Sequence, residues 1–89
     1  MNRQEFEALL KEDGYTEIEA KSLQSRPANT EHGHPFSVRG LVLSGAFTVK
    51  QSNVAKTYQA GEIFAVAADL DHTEEVGADG AEIVVGRKY

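Results

Sequence analysis

His32-Gly33-His34-Pro35-Phe36-Ser37-Val38-Arg39-Gly40-Leu41-Val42-Leu43-Ser44-Gly45 carries two signals at once: a pair of imidazoles at i and i+2, and a strand-length apolar run closed by Ser44-Gly45. On a strand, side chains at i and i+2 leave the same face, about 7 Å apart along the chain. Both rings can then point to one side of a sheet. If Val38 looks inward, strict alternation sends Arg39 outward. Leu41 and Leu43 then share the outer face, opposite Val42, and pack beneath a helix or against a second copy of the chain.

Outward from this stretch the same punctuation repeats. Short runs at Ala46–Lys50, Ile63–Ala67, His72–Val76 and Glu82–Val85 are separated by Ser52-Asn53, Ala60-Gly61 and Asp79-Gly80, and such spacing indicates a β-sandwich or barrel. Ahead of the barrel, Ile18 and Ala20 alternate with Glu17, Glu19 and Lys21, again a strand period. The N-terminus has a helical period. Asn2 followed by Glu5 is a helix-start signature, Phe6, Leu9 and Leu10 form one stripe, and Gly14 suits the residue past a helix end. The expectation is a short helix over about residues 3–13 on an all-β barrel, with residues 1–14 as the helical cover and 15–89 as the barrel of a single domain.

An 89-residue chain buries only about 60% of the surface its unfolded form exposes. With no cysteine, extra stability must come from a bound ion or a partner subunit, and a homodimer is expected. The net charge is −5, from 14 acidic and 9 basic residues, with no basic cluster to release counterions from nucleic acid. The charged start, Met1-Asn2-Arg3-Gln4-Glu5, is neither a secretory signal nor a membrane span, which places the expectation in the cytoplasm.

His72 opens a further run and is the chain's third and last histidine. Imidazole binds zinc, iron, nickel and copper through one neutral nitrogen. Glu74, two residues on, faces the same side of its strand. It can complete a metal shell, orient a histidine, act as a general base, or simply pair with solvent beside Glu75. Arg39 is a candidate clamp for a substrate carboxylate.

At this point the chain resembles the cupins. Their first motif is G, five residues, HxH, three or four residues, E, six residues, G; here His32, His34 and Gly45 match, while Val38 holds the glutamate position and Arg26 the opening glycine. Their second motif is G, five residues, PxG, two residues, H, three residues, N; Gly61 and His72 match, and Ala67, Asp69 and Val76 depart. The resemblance covers about residues 17–86 and includes a subset of small single-domain cupins that lack the motif glutamate. It implies a jelly-roll barrel in which His32, His34 and His72 bind a divalent transition metal (Zn, Fe, Ni, Mn or Cu) with open positions for a small anionic or chelating molecule. Oxygenase, isomerase or hydrolase chemistry is consistent with such a site. A non-catalytic module that binds or senses a small molecule is the alternative.

Overall fold

Val38–Leu43 and Ala46–Lys50, separate runs in the sequence, form one continuous strand, and so do His72–Val76 and Glu82–Val85. The computed structural model describes residues 1–89 and runs α1 (Arg3–Glu12), β1 (Thr16–Leu23), β2 (Ser37–Gln51), β3 (Val54–Gln59), β4 (Ile63–Val66) and β5 (His72–Lys88). Strands β2 and β5 pair antiparallel over almost their whole length, with register shifts between Val42 and Ser44 and between Gly45 and Phe47. Across the second shift the partners jump from Ala81 to Val76. Ser44-Gly45 and Asp79-Gly80 are therefore not strand ends but bulges, which bend a strand and increase its twist. Gly45 has φ +78, and a Cβ there would run into the backbone of Gly80 and Ala81. Only glycine permits both the conformation and the approach.

The bend folds the β2–β5 ribbon over itself into two facing layers. One layer holds β1, the C-terminal half of β5, the first half of β2 and β4, with β4 pairing Val38–Leu41 through Ile63–Val66. The other holds the N-terminal half of β5, the second half of β2 and β3. The β2–β3 connection is a two-residue turn in which Ser52 and Asn53 have φ +51 and +63, as tight hairpins require. Between the layers lie Val42, Phe47, Val49, Tyr58, Phe64, Val66, Val76, Ala81, Ile83 and Val85. Gly40 leaves room inside for the ring of Phe64.

Strand β3 has no counterpart among the runs read from sequence. It pairs with β2 alone, and Tyr58 is its only buried side chain, so an edge position strips it of the apolar alternation that marks strands.

The helix covers the outer face. Asn2 caps it, its Oδ1 accepting from the Glu5 N–H at 2.8 Å. Phe6 and Leu10 pack on Leu41 and Val84, with Tyr15, Ile18 and Leu43 around them, so Leu41 does serve as the seat of the helix. The helix ends at Glu12, one residue short of the expected end, and Asp13 is its C-cap. Arg39 reaches this acidic end: its Nη1 donates to Asp13 Oδ2 at 2.5 Å and its guanidinium lies 4.6 Å from the Tyr15 ring centroid.

Candidate metal centre

His32 and His34 do not sit on a regular strand. Residues 24–36 lie outside the named strands and are tied to the N-terminal half of β5 by isolated bridges at Arg26 and His32 and a few hydrogen bonds. The Arg26 N–H donates to Val76 O at 3.2 Å and the Val76 N–H returns to Arg26 O at 3.0 Å. The Asn29 N–H donates to Glu74 O at 3.1 Å, while Asn29 Oδ1 accepts from the Glu74 N–H at 2.8 Å. The His32 and His72 backbones exchange a pair of bonds at 3.0 and 2.8 Å. His34 is held further along, where its carbonyl accepts from the Asp69 N–H at 2.7 Å. The imidazoles converge through this cross-chain pairing rather than through strand alternation within His32-Gly33-His34.

The three rings form a triangle with centroid separations of 5.3 Å (His32–His34), 4.4 Å (His32–His72) and 4.9 Å (His34–His72). Glu74 joins them, its Oε2 lying 3.0 Å from His72 Nε2 and 3.9 Å from His32 Nε2. One donor atom from each of the four residues lies within 4.8 Å of all the others. Donors around a single zinc, each about 2.0–2.2 Å from the ion, are roughly 3–4 Å apart, so modest side-chain rotation suffices to close the set.

The donor chemistry fits a cation. His32 Nδ1 donates to Thr30 O at 2.9 Å, and His72 Nδ1 to Leu70 O at 3.2 Å. In a neutral imidazole each bond puts the proton on Nδ1 and leaves Nε2 a lone pair, as in metal-bound histidines. On the fully buried His72, Nε2 faces a carboxylate oxygen at 3.0 Å, an arrangement satisfied by a proton or a cation between the two. His34 Nδ1 is buried with no hydrogen-bond partner. Burial, aided by His72 and His32, pushes the His34 imidazole below its ordinary range and keeps its lone pair available. Phe36 stacks on His34 with centroids 4.7 Å apart and planes 7° apart.

Glu74 is gripped from the other side. Arg26 Nη1 donates to its carbonyl at 3.0 Å, and Arg26 Nη2 lies 3.6 Å from Oε1. Beside the cluster opens a cavity of about 240 Å³ whose 15 lining residues include nine hydrophobic ones, so its body is apolar. His34, His72 and Glu74 meet it at their end, and Lys21, Arg26 and Arg87 are the cations that line it.

Arg39, a clamp candidate in the sequence, does not reach this cavity; it faces outward, against Asp13 and Tyr15. Arg87 and Lys21 are the residues that sequence reading passes over. Ile83, Val85 and Arg87 share one strand face, so the apolar phase of β5 runs on into an arginine. In β1 the apolar members Ile18 and Ala20 lie on the side of the helix, and Lys21 and Leu23 look into the barrel.

No family model and no curated protein sequence matches the chain. Solved structures do match its architecture. A cupin-2 domain containing protein from Shewanella frigidimarina superposes with a TM-score of 0.69 at 15% identity, over 81% of this chain and 69% of that one. An RmlC-like cupin from the same organism gives 0.64 at 23% identity, over 80% and 65%. The fold is that of the small cupins. A Cupin 2 conserved barrel domain protein from Salinispora arenicola adds a TM-score of 0.69 at 11% identity, over 81% of this chain and 61% of its own length. The cupin barrel here puts Val38, which stands where the first motif carries glutamate, on the cavity wall. The carboxylate of the cluster comes instead from Glu74 on β5.

Proposed function

We propose that this chain is a metal-binding cupin in which His32, His34, His72 and Glu74 hold one divalent transition metal (zinc, iron, nickel, manganese or copper) beside a cavity for a small anionic or chelating molecule. The observation that carries the reading is the convergence of one donor atom from each of four residues within 4.8 Å; one of the four, His34, also has a buried Nδ1 with no hydrogen-bond partner. Bound there, the ion would supply a Lewis acid to a ligand in the cavity. The chain's own residues do the rest. Arg26 and Asn29 hold Glu74, Phe36 orients His34, and Val38, Phe47, Val49, Phe64 and Val66 keep water from the apolar side of the cavity.

Oxygenation, isomerisation and hydrolysis all suit such a site. One observation favours the non-catalytic reading, in which the barrel binds or senses its ligand. Glu74 is the only carboxylate lining the cavity, and the proposed ion and Arg26 already claim it, so no second carboxylate stands ready as a general base. A homodimer is part of the proposal. Its support is a small core of 14 buried hydrophobic residues together with exposed Val54 and Ile63 on β3 and β4, and light scattering across a concentration series tests it.

Metal analysis of protein purified without a histidine tag tests the central claim. We expect one equivalent of metal in the wild type and its loss in His34→Ala and His72→Ala. A wild type that neither retains nor takes up metal overturns the reading.

A further inference from the structure

We infer that Lys21 is the anchor for an anionic group on the cavity's ligand, and that this ligand is a small organic anion with an apolar body. The inference rests on the proposed ligand cavity and names its chemical class.

Strand β1 pairs with β5 so that Lys21 stands opposite Ile83 and Leu23 opposite Ala81. Cross-strand partners share a face, and Ile83 and Ala81 are core residues between the layers, so the Lys21 side chain is directed into the barrel, where it lines the cavity. Its neighbours there are already engaged. Arg26 binds Glu74, and Arg87 lies 4.6 Å from the Phe36 ring centroid with Glu17 3.8 Å away. Lys21 makes no ion pair and no side-chain hydrogen bond. A lysine that lines an apolar cavity with no partner for its ammonium can meet an anion brought by the ligand.

The distribution of charge agrees. The chain has 14 acidic and 9 basic residues, yet the cavity is lined by three basic residues and one acidic one. Against the overall sign of the molecule, Lys and Arg outnumber carboxylates around this cavity. Its size bounds the ligand: 240 Å³ is about eight water volumes at roughly 30 Å³ each, below the usual range for drug-sized ligands. With nine hydrophobic lining residues out of 15, the space between Lys21 and the metal cluster suits a short aliphatic or single-ring body.

The test is calorimetric titration of zinc-loaded protein with benzoate, pentanoate, benzyl alcohol and benzylamine at constant ionic strength. We expect the wild type to bind at least one of the two carboxylates and to prefer it to the neutral and cationic compounds. Lys21→Met keeps the aliphatic stem and should weaken carboxylate binding by about tenfold or more, the value of a charge-assisted hydrogen bond, with zinc affinity unchanged. Lys21→Glu should turn the preference toward benzylamine. Carboxylate binding by Lys21→Met within threefold of the wild type overturns the inference, as does failure of both carboxylates to outbind benzyl alcohol. The same series on chelator-treated protein, read by thermal stability, separates the two proposals. Absence of zinc binding would remove the metal reading alone, whereas loss of the carboxylate preference in the presence of bound zinc would remove the role of Lys21 alone.

Discussion

Glu74→Gln separates a four-donor site from a three-histidine site. Glutamine keeps the shape of the side chain and its contact with Arg26 while removing the negative charge beside His72, where Oε2 and Nε2 are 3.0 Å apart. Two unit charges about 4 Å apart in an environment of effective dielectric near 20 attract by about 4 kcal/mol. The Glu74 side chain is 25% exposed, so solvent screening and a replacement water return part of that. A net loss of about 2–3 kcal/mol remains, which corresponds to roughly 30- to 150-fold weaker metal binding at 1.4 kcal/mol per tenfold. Competition against a chromogenic chelator measures it for zinc, and the visible spectrum of the cobalt-loaded protein reports the change in donor set. Glu75→Gln is the control, because Glu75 is exposed on the opposite strand face; it should stay within about twofold of the wild type, as isolated surface charges do. If Glu74→Gln binds zinc within threefold of the wild type while His72→Ala abolishes binding, Glu74 lies outside the coordination shell and the reasoning fails.

Metal should also stabilise the fold. At free zinc of about 100 times Kd, linkage supplies about 2.7 kcal/mol, and at about 4–8 °C per kcal/mol for a chain of this size the melting temperature should rise by roughly 10–20 °C, a shift absent after chelation and in His72→Ala. Leu10→Ala empties a fully buried site against Phe6, Leu41 and Val84 and should cost about 2–5 kcal/mol in chemical denaturation. Leu9→Ala, on the 40% exposed neighbour, should cost about 0.5 kcal/mol or less. Hydrogen exchange should show the amides of Arg26, Asn29 and His32 gaining protection on zinc addition, because those three bonds join the histidine-bearing segment to β5; unchanged exchange in zinc-saturated protein would sever site from segment.

The histidine set and the barrel class were legible because each rests on a signal local to a few residues: HxH, a distant third histidine, and apolar runs between turn residues. Features that depend on partners across the sheet were not. Ser44-Gly45 and Asp79-Gly80 look like any other loop, since a bulge and a turn draw on the same residues, and only the register of β2 against β5 distinguishes them. Val54–Gln59 is hidden because an edge strand buries one side chain. Arg39 and Lys21 exchange importance for a related reason. Alternation from Val38 correctly turns Arg39 outward, but in β1 Ile18 lies on the helix side, so Lys21, in the opposite phase, looks in beside Leu23. A two-layer barrel with a helix on its back has two apolar faces, and sequence alternation alone does not say which of them is inside.

The same distinction explains how a cupin barrel without a glutamate at position 38 still brings a carboxylate to its histidines. On β2, Val38 points into the cavity and cannot supply charge there. On β5, His72 and Glu74 leave one strand face together, so the strand that carries one donor carries a second at no cost in topology. Glu74 then needs a reason to stay turned inward, and the segment that delivers His32 provides it: Asn29 binds its backbone and Arg26 its carbonyl and carboxylate. One irregular edge pairing thus sets both the position of His32 and the orientation of Glu74. That edge is held by few backbone bonds of its own, and elements with few such bonds open most readily. An ion held as proposed, between His32 and His34 on one side and His72 and Glu74 on the other, would tie this edge to the barrel, so that filling the site and completing the fold would be one physical event.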